Sequence, residues 1–180
     1  MSKFAKTAIA AAMVMGAVVS TSAFAAGNNG TARFYGTIED SPCSIVPDDH
    51  KLEVDLGNIG AEVLKNNGTT TPKDFQIRLQ DCVLDTQKTI TTMFTGTVST
   101  ANENYFAIFN TDTGVMFNNV SLAIGDLQQT AQKKGDGITQ QSDGVKPKQT
   151  LNFKAWLVGA ADAPDLGGFE AITTFQITYI

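Results

Sequence analysis

The sequence predicts an all-β fold, a sandwich of short antiparallel strands in one exported domain. Three observations carry that expectation. Apolar and polar residues alternate with period two in one segment after another. Clusters of Gly, Asn, Asp and Pro separate those segments. The only two cysteines, Cys43 and Cys82, lie downstream of a leader with the layout of an export signal.

The leader comes first. Lys3 and Lys6 make a short positive region, Ala8 to Val19 is uninterrupted by charge, and Ala23-Phe24-Ala25 places small residues at a cleavage site. The apolar run of roughly a dozen residues is too short to cross a hydrocarbon core of ~30 Å as a helix. Residues 1–25 are therefore expected to be a signal peptide, and the remainder of the chain has the size of one ordinary domain. The chain carries 18 acidic against 13 basic residues, a net charge of −5, and two of the 13 sit in the leader. An acidic chain without a basic stripe argues against nucleic acid as a partner. In an oxidising compartment Cys43 and Cys82 read as one disulfide.

Thr31 to Ile38 alternates first, apart from Tyr35, and Leu52-Glu53-Val54-Asp55-Leu56 alternates cleanly. Phe75 to Cys82 alternates too, but it places Cys82 in step with Gln76 and Arg78, so a bulge or a register shift is required there. Thr89 to Phe94 is threonine-rich and β-prone, Val120 to Ile124 alternates, and Leu151 to Val158 comes next, with Trp156 as a core residue. Phe169 to Ile180 reads as the last strand. Pro47-Asp48-Asp49, Asn66-Asn67-Gly68 and Pro164 with Gly167-Gly168 are turn signals, and Gly135-Asp136-Gly137 with Ser142-Asp143-Gly144 bracket a polar loop. Only Ile59 to Leu64 suggests a short helix. No repeat or low-complexity linker divides the chain.

Residues for chemistry are scarce. His50 is the sole histidine and stands beside Asp48 and Asp49 in a turn, so no imidazole set exists to hold zinc. Both cysteines are committed to a disulfide, and no nucleophile–base pair or phosphate-cradling glycine loop is present. Asp136 and Asp143 lack the alternating ligand spacing of a calcium loop. The expectation is no enzyme, no metal and no cofactor.

The two ends carry more. After Ala26-Gly27, the even positions run Asn28, Gly30, Ala32, Phe34, Gly36 and Ile38. At the other end Phe175, Ile177 and Tyr179 alternate with polar residues up to Ile180. A sandwich edge of that kind exposes unpaired backbone groups beside an apolar face and calls for a partner.

The segment Gly30-Thr31-Ala32-Arg33-Phe34-Tyr35-Gly36-Thr37-Ile38-Glu39-Asp40-Ser41-Pro42-Cys43-Ser44-Ile45 resembles the start of major pilins from P-type and mannose-resistant enterobacterial fimbriae. Asp74 to Cys82 resembles that family's second cysteine strand, and Gly167 with the penultimate Tyr179 matches its C-terminal signature. The resemblance implies an incomplete immunoglobulin-like β-sandwich lacking its final strand and completed by a donor strand. It divides the chain into a signal peptide at 1–25, a donor extension at 26–38 and a pilin domain at 39–180. It implies that Asn28, Gly30, Ala32, Phe34, Gly36 and Ile38 enter the groove of the next subunit. Gly167, Phe175, Ile177 and Tyr179 would form the groove edge that meets a periplasmic chaperone. Further implied partners are related pilin subunits, joined head to tail, and an outer-membrane usher. Ala32 departs from the pattern, since relatives often carry a larger aliphatic residue there, and its pocket is expected to be shallow. The alternatives are a minor adapter subunit and, from another class, a secreted carbohydrate-binding β-sandwich.

Overall fold

The structure, a computed structural model, describes residues 30–84 and 89–180. The compact body spans Glu39–Ile180 and carries nine strands among the described residues. They are β1 (Ser44–Ile45), β2 (Lys73–Gln80), β3 (Thr89–Gly96), β4 (Phe106–Asn110), β5 (Met116–Gly125), β6 (Ile138–Gln141), β7 (Gln149–Gly159), β8 (Phe169–Glu170) and β9 (Thr173–Tyr179). They form a six-stranded sheet in the order β1-β2-β7-β5-β4-β8 and a three-stranded sheet in the order β6-β3-β9. Every pairing is antiparallel.

Alternation decides which side chains meet between the sheets. Ile77 and Leu79 of β2, Leu151, Phe153 and Leu157 of β7, Val120 of β5 and Ile90 of β3 are all buried there. The Phe153 ring packs edge-on against Phe94 of the facing sheet at 5.2 Å and lies 5.4 Å from Phe75. Trp156 is buried, as expected of a core residue.

Four readings of the sequence change in the structure. Phe75 to Cys82 does not continue as one strand. β2 stops at Gln80, and Asp81 takes a left-handed φ of 52°, which turns the chain and releases Cys82 from the alternation. Cys82 then reaches Cys43 and forms the disulfide. Phe169 to Ile180 is two strands rather than one. β8 pairs with β4 in the larger sheet, and β9 pairs with β3 in the smaller one, so the chain changes sheets at Ala171-Ile172. The polar loop between Gly135 and Gly144 contains β6, because buried Ile138 anchors a four-residue strand on β3. Neither Thr31 to Ile38 nor Leu52 to Leu56 is a strand, since no ladder partner stands beside them among the described residues.

The short helix lies slightly later than expected, as a 3-10 stretch at Ala61–Asn67 that packs on β7. Asn66 and Asn67 turn it with left-handed φ values of 54° and 60°. Gly159 of β7 must be glycine, because a Cβ there would overlap the carbonyl of Leu64. β4 escaped the sequence reading altogether: its run Phe106-Ala107-Ile108 is buried without alternating.

The result is an immunoglobulin-like sandwich with one strand position vacant. β9 forms the rim of its sheet, hydrogen-bonded to β3 on one side, and its other side has no ladder partner among the described residues.

Candidate functional site: an open groove beside the last strand

The vacant position is a groove of about 950 Å³. One wall is the extended segment Lys51–Ile59. It keeps the alternation seen in the sequence, with Leu52, Val54 and Leu56 half-buried and Lys51, Glu53 and Asp55 exposed. Its backbone forms no ladder. Among the described residues the only amide of this segment with a partner is that of Gly57, which donates to Asp55 Oδ1 at 2.8 Å. The opposite wall is β9 together with the run from Pro164 to Ala171. Between the walls, core side chains including Phe94, Ile108, Phe117 and Leu122 form the floor.

Each wall is held from outside the groove. A 3-10 turn at Pro47–His50 leads into the first wall and carries Asp49, which is buried. The Asp49 carboxylate accepts from the backbone N–H of Arg78 at 2.6 Å and from its guanidinium, Nη2 at 2.6 Å and Nε at 3.0 Å. This two-pronged pairing holds the Asp49 carboxyl below its ordinary value despite burial. On the second wall, Asp165 Oδ2 accepts from the amides of Asn118 (2.6 Å) and Asn119 (3.2 Å) and ties the loop to β5.

Asp49→Asn is expected to destabilise the body by about 1–3 kcal/mol at neutral pH, because it leaves a charge-assisted pair unmade. Since the folded-state pKa lies below the ordinary value of 3.8, the wild-type advantage is present above that value and lost as pH falls through the folded pKa. Urea unfolding of both chains between pH 7 and pH 2 is the check, with the two stabilities converging at the acid end.

The groove brings together some of the residues singled out in the sequence. Phe175 and Gly167 line it. The Phe175 ring lies 6.1 Å from Phe94. Gly167 has φ of +133°, a conformation that favours glycine, and a Cβ there would come within 2.5 Å of Asn110 Nδ2 and oblige that side chain to shift. Ile177 and Tyr179 continue the same face of β9, half-buried and beyond the cavity lining. Burial raises the Tyr179 phenol, opposed by its hydrogen bond with Ser41. Of the N-terminal series, Asn28 lies outside the described residues. Gly30, Ala32, Phe34, Gly36 and Ile38 are exposed and belong to no strand, with Phe34 92% exposed.

The sequence reading missed the Lys51–Ile59 wall. Its alternation was legible, but alternation alone does not say whether a strand has neighbours. It also gave no sign of Leu166 and Ile172, large apolar residues that line the groove and remain exposed. Among the described residues no group of three or more His, Cys, Asp or Glu side chains is placed to hold a metal ion.

Two unpaired backbone edges flanking an apolar floor suit one kind of occupant, an extended segment with apolar side chains at alternate positions. Each ladder hydrogen bond gained would contribute about 1 kcal/mol net. Each large side chain seated on the floor would add about 1.5–3 kcal/mol.

Comparison with known proteins agrees with this geometry. The family described as "Fimbrial protein" matches residues 32–180. An uncharacterized fimbrial-like protein of Escherichia coli K12, YfcV, is 76% identical, with 100% of each chain covered. The major MR/P fimbria protein of Proteus mirabilis is 37% identical over 93% of this chain and 96% of its own length. Among solved structures, the P pilus rod subunit PapA superposes with a TM-score of 0.64 at 18% identity, covering 78% of this chain and 100% of that one. That likeness supports the sandwich architecture.

Proposed function

The chain belongs to the fimbrial protein family and is a structural subunit of a bacterial fimbria, and we propose that it builds the shaft of an adhesive fibre by donor-strand exchange. In this reading residues 26–38 of one copy form the donor strand. Asn28, Gly30, Ala32, Phe34, Gly36 and Ile38 face the groove of the next copy, between Lys51–Ile59 and β9. The observation that carries it is the groove itself, whose two walls present backbone without ladder partners among the described residues on either side of an apolar floor. The exposure of Phe34 and Ile38 supports it from the donor side. Head-to-tail donation is a heterologous contact that does not close, so it generates a filament. The relative named as a major fimbria protein supports a shaft position over an adapter position.

Before assembly the same gap needs protection. A periplasmic chaperone strand laid along the edge formed by Gly167, Phe175, Ile177 and Tyr179 would supply it. Residues 1–25 would direct export to the periplasm, and an outer-membrane usher would receive the complex. The role is structural, in keeping with the family.

The subunit exported without a chaperone is expected to self-associate into detergent-resistant multimers, seen as a ladder on unboiled gels. A soluble, folded monomer stable to dilution and heat would contradict the reading.

A further inference from the structure

We propose that Arg33 of one copy docks on the carboxylates of Glu53 and Asp55 in the groove wall of the next, a charge contact that selects this chain's own segment and biases its register. The inference rests on the donor-strand reading and concerns the side chains which that reading leaves pointing outward.

An extended segment that turns its even-numbered residues into a groove turns its odd-numbered ones away from it. Arg33 therefore stands on the solvent side. It is the only lysine or arginine between residues 26 and 50. Among the described residues it makes no ion pair, and its guanidinium lies 5.4 Å over the ring of Tyr35, two residues along.

The two walls offer that cation different surroundings. The outward residues of β9 are Thr174, Gln176 and Thr178, which are neutral. The outward residues of the other wall are Lys51, Glu53 and Asp55, all exposed. Neither Glu53 nor Asp55 makes an ion pair among the described residues, and Asp55 accepts only from its own turn, at Gly57. Neighbouring strands lie about 4.8 Å apart, so outward side chains on a seated segment and on this wall are cross-strand neighbours.

Register places Arg33 opposite the acids. Arg33 is the middle residue of Asn28–Ile38, and Asp55 is the middle residue of the Lys51–Ile59 wall, with Glu53 two residues before it. The cation falls at the centre of the groove whichever way the segment runs. A slip of two residues toward the start of the wall would leave it beside Glu53, whereas a slip of four would bring it beside Lys51, and like charges on neighbouring strands repel. Opposite charge thus favours the registers that face Glu53 or Asp55, and like charge penalises the one that reaches Lys51. At an exposed rim such a pair governs association rate and partner choice more than final affinity.

The test measures incorporation of a fluorescent peptide of residues 26–40 into the full-length subunit purified as its chaperone complex. Wild-type and Arg33→Glu peptides are each paired with the wild-type subunit and with one carrying Glu53→Lys and Asp55→Lys, both surface changes. In low salt, Arg33→Glu is expected to slow incorporation into the wild-type subunit about three- to tenfold, and the reversed subunit is expected to favour the Arg33→Glu peptide. The difference should fade at about 0.5 M salt, where the screening length falls to a few ångströms. Equal rates for both peptides in low salt would overturn the charge contact and leave the donor reading standing, and so would a reversed subunit that slows both peptides alike. Failure of every peptide to incorporate would remove the donor reading and this contact with it.

Discussion

Replacing Phe34 with aspartate is expected to abolish fibre growth and to leave the body of the subunit folded. Phe34 is 92% exposed in the subunit, so its removal takes nothing from the core. In a donor strand it would be the largest inward-facing side chain, worth about 1.5–3 kcal/mol on full burial. Aspartate forfeits that gain and adds the desolvation of a carboxylate facing Phe94, Ile108 and Leu122 on the groove floor, a further several kcal/mol. The combined loss corresponds to about a thousandfold or more in association, since each ~1.4 kcal/mol is a factor of ten. Electron microscopy of cells expressing the variant should find no fibres. Circular dichroism of the variant purified with its chaperone should match that of the chaperone-bound wild type. Phe34→Leu should retain short fibres. Fibres of normal length from the aspartate variant would show that Phe34 does not enter a groove.

Loss of the disulfide is expected to be as severe, through the subunit rather than the fibre. The bond joins Cys43 to Cys82 across 39 residues, and that loop contains the Lys51–Ile59 wall. Cross-linking a loop of about 40 residues stabilises the fold by about 4 kcal/mol on the chain-entropy account. Typical domains have about 5–15 kcal/mol in total, and this body leaves an apolar floor open. The double variant Cys43→Ser, Cys82→Ser should therefore fail to accumulate in the periplasm. In isolation its unfolding midpoint should fall by about 8–16 °C, at about 2–4 °C for each kcal/mol. An unchanged midpoint would mean that the loop is held by other contacts, among which the Asp49–Arg78 pairing is the strongest candidate.

The parts of the fold that could be read from the sequence are those whose signal is local. Period two in Phe75–Leu79 and Val120–Ile124 and the apolar run Leu151–Val158 pointed to strands, and all three lie in strands, although Val120–Ile124 is buried at every position. The parts that could not be read depend on distant neighbours. Leu52–Leu56 alternates as well as any strand in the chain, yet it has no ladder partner among the described residues. Phe169–Ile180 is continuous in character, but Ala171-Ile172 carries the chain from one sheet to the other. β6 was hidden among glycines and polar residues, with Ile138 as its one buried apolar anchor. The candidate site was half legible: the apolar series on β9 was recognised, whereas the facing wall and the floor emerge only once the strands are placed. Asp49 looked like part of a turn, and its burial against Arg78 depends on a contact 29 positions away.

The account stands on the groove being filled by another copy. A high-resolution map of assembled fibres tests this most directly. It should place residues 28–38 of each subunit as a strand between Lys51–Ile59 and Thr173–Tyr179 of its neighbour, with Phe34 on the floor. Density showing each groove closed by a segment of its own subunit, or left open with residues 28–38 on the fibre surface, would contradict it.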